Sequence, residues 1–196
     1  MSNTSYHHGD LPSALVRAAV ELLEEDGAAD LSLRAAARRA GVSTAAPYRH
    51  FADRDALLSA VAAVGFRALA EQLVAASAEP STPEDLATIA VAYVRFALAR
   101  PALFRVMFSD PCDPTSPERV AATTAIHDYV QAIVRKIYPT ADEESLTNAM
   151  WALVHGLAFL YLQGKFDAAA DAELENRVRS TVFAIIELPK APSAQG

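Results

Sequence analysis

The chain has 196 residues, 52% of them hydrophobic, and sets 17 lysines and arginines against 24 aspartates and glutamates for a formal charge of −7. So acidic a chain is not an indiscriminate coat for nucleic acid, whose loose binding rests on neutralising phosphate. Its single cysteine, Cys112, excludes an internal disulfide, and no signal-peptide pattern or uninterrupted apolar run of about 18 residues is evident, so a cytoplasmic protein without a membrane partner is expected.

In chain order, Leu11, Leu15, Ala18, Ala19, Leu22 and Leu23 recur at helical spacing over residues 11–26, with a start near Asp10 and a stop at Gly27. The adjacent His7 and His8 ahead of it read as part of a polar terminus, not as a metal site. Ser32 then caps a short helix that turns Leu33, Ala36, Ala37 and Ala40 inward and leaves Arg34, Arg38 and Arg39 to solvent or phosphate. Gly41 stops that helix, Val42 plugs the turn and Ser43 is a second N-cap. A helix of about seven residues, Thr44 to His50, is expected before Phe51 turns the chain inward. Two short helices across a glycine turn predict a helix-turn-helix that reads double-stranded DNA.

The local charge agrees. Arg34, Arg38, Arg39, Arg49 and Arg54 are opposed between residues 34 and 54 only by Asp53, five positive charges less one negative, or +4. Base contacts are expected from the start of the second helix: Thr44 through its hydroxyl and methyl, Ala45 against a thymine methyl, and Arg49 through its guanidinium. Tyr48 and His50 suit the sugar-phosphate backbone, and Arg34 and Ser43 complete the DNA-binding set. Pro47 leaves few long side chains to reach bases, so part of the specificity is expected from DNA shape.

Leu33-Arg34 and Ala37, Ala40-Gly41-Val42-Ser43, Tyr48-Arg49-His50-Phe51 and Asp53-Arg54-Asp55-Ala56-Leu57-Leu58 together resemble the TetR family of transcriptional regulators. The resemblance implies that Tyr48 and His50 touch phosphates, that Phe51 packs the helix-turn-helix against the first helix, and that the acidic residue opens the next one. Pro47 departs from the commoner aromatic or hydrophobic residue before the tyrosine and fits a subgroup ending in Pro-Tyr-Arg-His-Phe.

Further along, the helical period runs through Val61, Val64, Leu69 and Leu73 and stops in the polar stretch from Glu79 to Pro83. Thr82, Pro83 and Asp85 start a helix presenting Leu86, Ile89, Ala90, Tyr93, Val94 and Ala97 up to Pro101. A short apolar helix over 103–108 and the loop DPCDPTSP follow, and Ser116-Pro117 restarts the chain into a helix carrying Val120, Ile126, Val130, Ile133, Val134 and Ile137. Thr140 with Glu143 reads as a capping box opening a helix to about Leu162, and Asp171 as the cap of a last helix ending before Pro189. Strand patterns are absent. The expected fold is all-α, with a three-helix DNA-binding domain over residues 1–60 and a larger helical effector-binding and dimerisation domain over 61–196.

The two C-terminal helices are expected to pair with their copies as a four-helix bundle, because a helix-turn-helix needs two copies to engage major grooves about 34 Å apart. Phe96, Leu103, Phe104, Met107, Phe108, Trp151, His155, Phe159 and Tyr161 are more aromatic and sulfur-bearing than Leu/Ala packing requires. Such a stripe also reads as plain core. The contacts expected for a small, mostly apolar effector are Phe104, Met107, Phe108, Trp151, Phe159 and, as polar anchor, His155. Trp151, His155 and Gly156, with the preceding RPALFRVMF, resemble a Trp-His-Gly class of TetR C-terminal domains.

Enzyme chemistry finds little to use: Cys112 has no neighbouring histidine, Asp110 and Asp113 lie in a proline-rich loop, His127 and His155 lack metal-ligand spacing, and no glycine-rich phosphate loop is present. No catalytic residue, metal or cofactor is therefore expected. The expected function is a homodimeric repressor released from its operator by a small molecule, with a ligand-independent or activating regulator as the alternative and, behind it, an enzyme fused to a helix-turn-helix.

Overall fold

The computed structural model describes residues 11–28, 31–109, 113, 115–167 and 170–187. His7, His8, Asp10, Asp110, Cys112 and Pro189, each given a part above, lie outside them. The described residues contain no strand. They form α1 (Leu11–Asp26), α2 (Leu33–Arg39), a 3₁₀ turn (Pro47–Arg49), α3 (Arg54–Ala76), α4 (Pro83–Ala99), α5 (Pro101–Ser109), α6 (Pro117–Ile137), α7 (Glu143–Leu162) and α8 (Asp171–Ile186).

Packing divides the chain into two compact units, residues 1–68 with 100–126 and residues 69–99 with 127–196, and the divisions fall inside α3 and α6. In the first unit α1 packs on α2 and α5. Leu15, Ala19 and Leu23 of α1, Ala36 and Ala37 of α2, and Phe51 all leave solvent. Alanine on the buried side of α2 lets so short a helix sit close to its support. Further along this unit Gly65 of α3 meets α5, where a Cβ would stand 2.6 Å from Met107 Sδ and 3.2 Å from Leu103 Cδ1. Beside this close approach Phe108 meets Phe66 edge-on at 5.2 Å and Phe104 at 4.8 Å between ring centres.

The second unit sets α4 against α7 and α8. The expected box at the start of α4 is present: Asp85 N–H donates to Thr82 Oγ1 at 3.2 Å and Thr82 N–H donates to Asp85 Oδ2 at 2.9 Å. Arg95 reaches both Asp171 and Glu175, and Arg179 holds Glu175 and Thr88, which ties α4 to α8 along their polar edge.

Two caps differ from expectation. Asp142, not Thr140, opens α7, accepting from Ser145 N–H at 3.1 Å and from the Ser145 hydroxyl, because it stands immediately before the helix where its carboxylate spans to the third helical residue. α8 starts at Asp171 after an Ala170 cap without a side-chain bond, and the Asp171 carboxylate is committed to Arg95. Two helices, α3 and α7, also prove long and apolar enough by length and composition to cross a bilayer. In α3 that apolar length is used inside the protein, where Leu57, Leu58, Val61, Phe66, Leu69 and Leu73 are buried.

Gly65→Ala tests the close approach. Alanine adds about 1 kcal/mol of helix propensity, but a methyl forced onto the fully buried Met107 costs about 1–3 kcal/mol. The variant is expected to be less stable in urea melts, and Gly65→Ala with Met107→Ala less destabilised than the sum of the single variants. The cap at Asp85 carries a pH signature. Hydrogen bonds from the Ser81 amide, then the Thr82 hydroxyl and amide and Ser77, hold its carboxyl down to about 2. A depressed carboxyl contributes stability that is present above its unfolded value of 3.8 and is lost as pH falls through about 2. Asp85→Asn is expected to flatten that part of the acid-unfolding profile.

Candidate nucleic-acid interface and aromatic clusters

The turn after α2 is built by one glycine. Gly41 takes φ of 70°, which suits it alone among common residues, so that Val42 N–H reaches Ala37 O at 3.0 Å and Gly41 N–H reaches Arg38 O at 3.1 Å. This paired closure turns the chain sharply out of α2. Ser32 opens α2 as expected, its hydroxyl accepting from Ala35 N–H at 3.1 Å.

The element that follows is shorter than the expected helix of Thr44 to His50. Residues 43–46 form a turn closed by Ala46 N–H to Ser43 O at 3.0 Å, and only Pro47–Arg49 is regular, as 3₁₀. The reason is Pro47, which has no N–H to return to the Ser43 carbonyl, so the segment tightens to bonds between residues three apart, such as His50 N–H to Pro47 O at 2.9 Å. Ser43 contributes its carbonyl; the cap of the 3₁₀ turn is Ala46, with no side-chain bond. Pro47 is buried and Phe51 is buried, while Ser43, Thr44, Ala45, Tyr48, Arg49 and His50 are all exposed, Tyr48 at 52%.

The arginines divide. Arg34, Arg38 and Arg49 are exposed. Arg39 is bound to Glu25 at 3.0 Å and to Glu21 at 3.4 Å, and the guanidinium hydrogen bond pulls the Glu25 carboxyl below its ordinary range. Arg54 turns inward, donating from Nε to Leu31 O at 2.9 Å and from its terminal nitrogen to Ala28 O at 2.8 Å. Two of the five charges counted as a reading surface therefore serve the packing of α1, α2 and α3. Asp53 opens α3 as the resemblance implies, its Oδ1 accepting from Ala56 N–H at 2.9 Å.

The six expected effector contacts fall into the two units. In the first, Phe104 and Met107 are fully buried and Phe108 is half-buried. In the second, Trp151, His155 and Phe159 are half-buried along α7, with the His155 and Phe159 rings 4.8 Å apart and Trp151 6.2 Å from the ring of His127. Sequence reasoning missed the hub of this second group. Tyr93 of α4 is buried, its hydroxyl lies 3.1 Å from His155 Nδ1, and Trp151 hydrogen-bonds the same hydroxyl. Burial pushes the Tyr93 hydroxyl up and the His155 imidazole down, so both are neutral at pH 7. In the sequence Tyr93 looks like one more inward residue of an amphipathic helix, and nothing across 62 positions pairs it with a histidine. Thr147, also on α7, is fully buried with its hydroxyl unpaired.

Comparison with known proteins matches two successive stretches of the chain. Bacterial regulatory proteins of the tetR family match residues 15–61, and a tetracyclin repressor-like C-terminal domain matches residues 86–182. A solved protein of unknown function from Rhodococcus sp. RHA1 is 35% identical, with a TM-score of 0.78 over 92% of this chain and 97% of its own. An HTH-type transcriptional regulator of Mycobacterium bovis is 32% identical over 59% of this chain, and the chain spans about half the length of the curated relatives it matches. A tetR-family regulatory protein from Rhodococcus RHA1, 17% identical with a TM-score of 0.67 over 89% of this chain and 96% of its own, shares the fold. With the turn and Tyr48 inside the first matched region and most of the helical body inside the second, the chain belongs to the TetR family of bacterial regulatory proteins.

Proposed function

We propose that this chain is a sequence-specific DNA-binding regulator acting as a homodimeric repressor, released from its operator by a small molecule. The observation that carries the reading is the exposed set Ser43, Thr44, Ala45, Tyr48, Arg49 and His50, presented by a turn anchored on buried Pro47 and Phe51, with exposed Arg34 on the preceding helix. Thr44, Ala45 and Arg49 read base edges, and Tyr48, His50, Ser43 and Arg34 hold the backbone. In this reading residues 1–60 read DNA and residues 61–196 bind effector and dimerise. Such a regulator works in the cytoplasm, on the nucleoid, and needs no catalytic group.

Dimerisation through α7 and α8 is supported by what these helices leave exposed. Ala149, Ala152, Gly156 and Leu160 are exposed on one face of α7, and Ala172, Asn176, Ser180 and Ala184 recur every fourth residue on the exposed side of α8. Small side chains at this spacing let two helices approach closely, and the buried Leu174, Val178 and Val182 already serve the protomer core. For the effector, Trp151, His155 and Phe159, organised by Tyr93, give a half-buried aromatic surface with a neutral imidazole as polar anchor. Phe104, Met107 and Phe108 are the proposed contacts within the first unit. A resemblance of this C-terminal part to the Trp-His-Gly class fits the same residues. Release requires only differential affinity: a 100-fold preference of effector for the non-binding state is roughly 2.7 kcal/mol of coupling.

Binding-site selection followed by salt titration tests DNA reading. Tyr48→Ala and His50→Ala are expected to weaken all duplexes together, while Thr44→Ala and Arg49→Ala change the preferred operator by roughly 1–3 kcal/mol per lost bidentate contact. Equal affinity for random and selected duplex overturns the reading. Sedimentation tests the dimer: the native chain is expected to be dimeric at micromolar concentration, and Ala152→Arg to give a monomer that no longer holds operator. For His155, a lowered folded pKa means that the unfolded chain binds the proton more readily, so stability is complete above the ordinary value of 6.5 and declines as pH falls below it. His155→Gln is expected to remove that decline in thermal melts across this range.

A further inference from the structure

A cleft of about 1270 Å³ opens within the first unit, and none of the six effector candidates lines it. Val16 and Val20 of α1 form one wall; Ala56, Ala60 and Val64 of α3 form another, at successive helical turns; Pro117, where α6 begins, closes a third side. The alanines of α3 leave room against α1 that longer side chains would fill. Its shape is held. Buried Ser59 donates to Asp55 O at 2.8 Å and accepts from Asp113 N–H at 2.8 Å, which fixes the chain before α6 to the first turns of α3. A cleft of this volume takes a drug-sized molecule with an apolar body.

Charge selects the sign of that molecule. Glu21, Asp53, Asp55, Asp113 and Glu118 line the cleft, against Arg17 and Arg67. Glu21 is engaged by Arg39, and Asp113 faces the Arg119 charge. Setting both aside leaves Asp53, Asp55 and Glu118 against two arginines, so carboxylates still prevail. Asp53 accepts the Ala56 amide in capping α3 and Glu118 accepts the Ser116 hydroxyl.

We propose that this cleft binds an organic cation with an apolar body, at a site separate from the effector surface on α7. The apolar walls take the body, and Asp55 and Glu118 face its charge from α3 and α6. The site borders the reading element itself, since His50 and Phe51 form one end of it.

The probe is tetraphenylphosphonium, with tetraphenylborate as a control of the same shape and opposite charge, each titrated into the full chain by calorimetry. The phosphonium is expected to saturate one site per chain and the borate to leave that site empty. Ala60→Trp and Val20→Trp fill the cleft from opposite walls, and each is expected to abolish phosphonium binding while circular dichroism and the melting curve remain native, so that one variant still reports if the other fails to fold. Asp55→Asn with Glu118→Gln, exposed charges, is expected to weaken binding by roughly three- to tenfold. Absence of saturable binding, binding retained in a folded tryptophan variant, or borate binding as tightly as phosphonium overturns the proposal.

Discussion

The N-terminal part of this protein, which we propose reads DNA, depends on one half-buried fork of hydrogen bonds. The chain between α1 and α2 leaves the first helix at Gly27 and must present backbone carbonyls to the interior; Arg54 meets two of them, Ala28 O and Leu31 O, from the first residue of α3. A guanidinium is suited to this because it offers donors in a fixed plane and keeps its charge. The bond set fixes where α3 starts with respect to the end of α1, and Leu31 beside it is buried with Leu33. The reading turn between α2 and α3 is then suspended from two elements whose separation is already set.

The same economy bears on the proposal that an acidic chain reads DNA. Arginines that look interchangeable in the sequence do different work: Arg39 neutralises Glu21 and Glu25 on α1, Arg54 is structural, and Arg34, Arg38 and Arg49 remain exposed. A small positive surface on an acidic body offers few phosphate contacts, so non-specific affinity is low and recognition rests on fit.

Much of this was legible in the sequence because it is local. Helices α1, α4 and α6, the Ser32 cap, the Thr82 and Asp85 box and the Gly41 turn all follow from spacing within a few residues. The residues proposed to contact DNA all prove exposed beside the buried Pro47 and Phe51. What escaped depends on distance or on competition. Thr140 and Asp142 both offer a cap to α7, and sequence does not say which stands immediately before the first turn. Arg54 and Arg39 find partners 23 to 26 and 14 to 18 residues away, and Tyr93 finds His155 across 62. The element over 44–50 is shorter than its spacing predicts because in so short a segment the missing amide of Pro47 decides between two helical forms.

That choice of form bears on how such a protein changes its target over evolutionary time. In a 3₁₀ turn successive side chains are rotated by about 120°, against about 100° in an α-helix. With Pro47 facing the interior, Tyr48 and Arg49 splay outward to opposite sides of the reading edge. Replacing the proline with a residue that lets the α form spread through this segment turns Arg49 by about 40° relative to the buried anchor, without altering any side chain that touches DNA. An operator preference is thus open to change through a residue that faces the protein core, and a lineage can acquire a new binding site while every contacting residue stays the same.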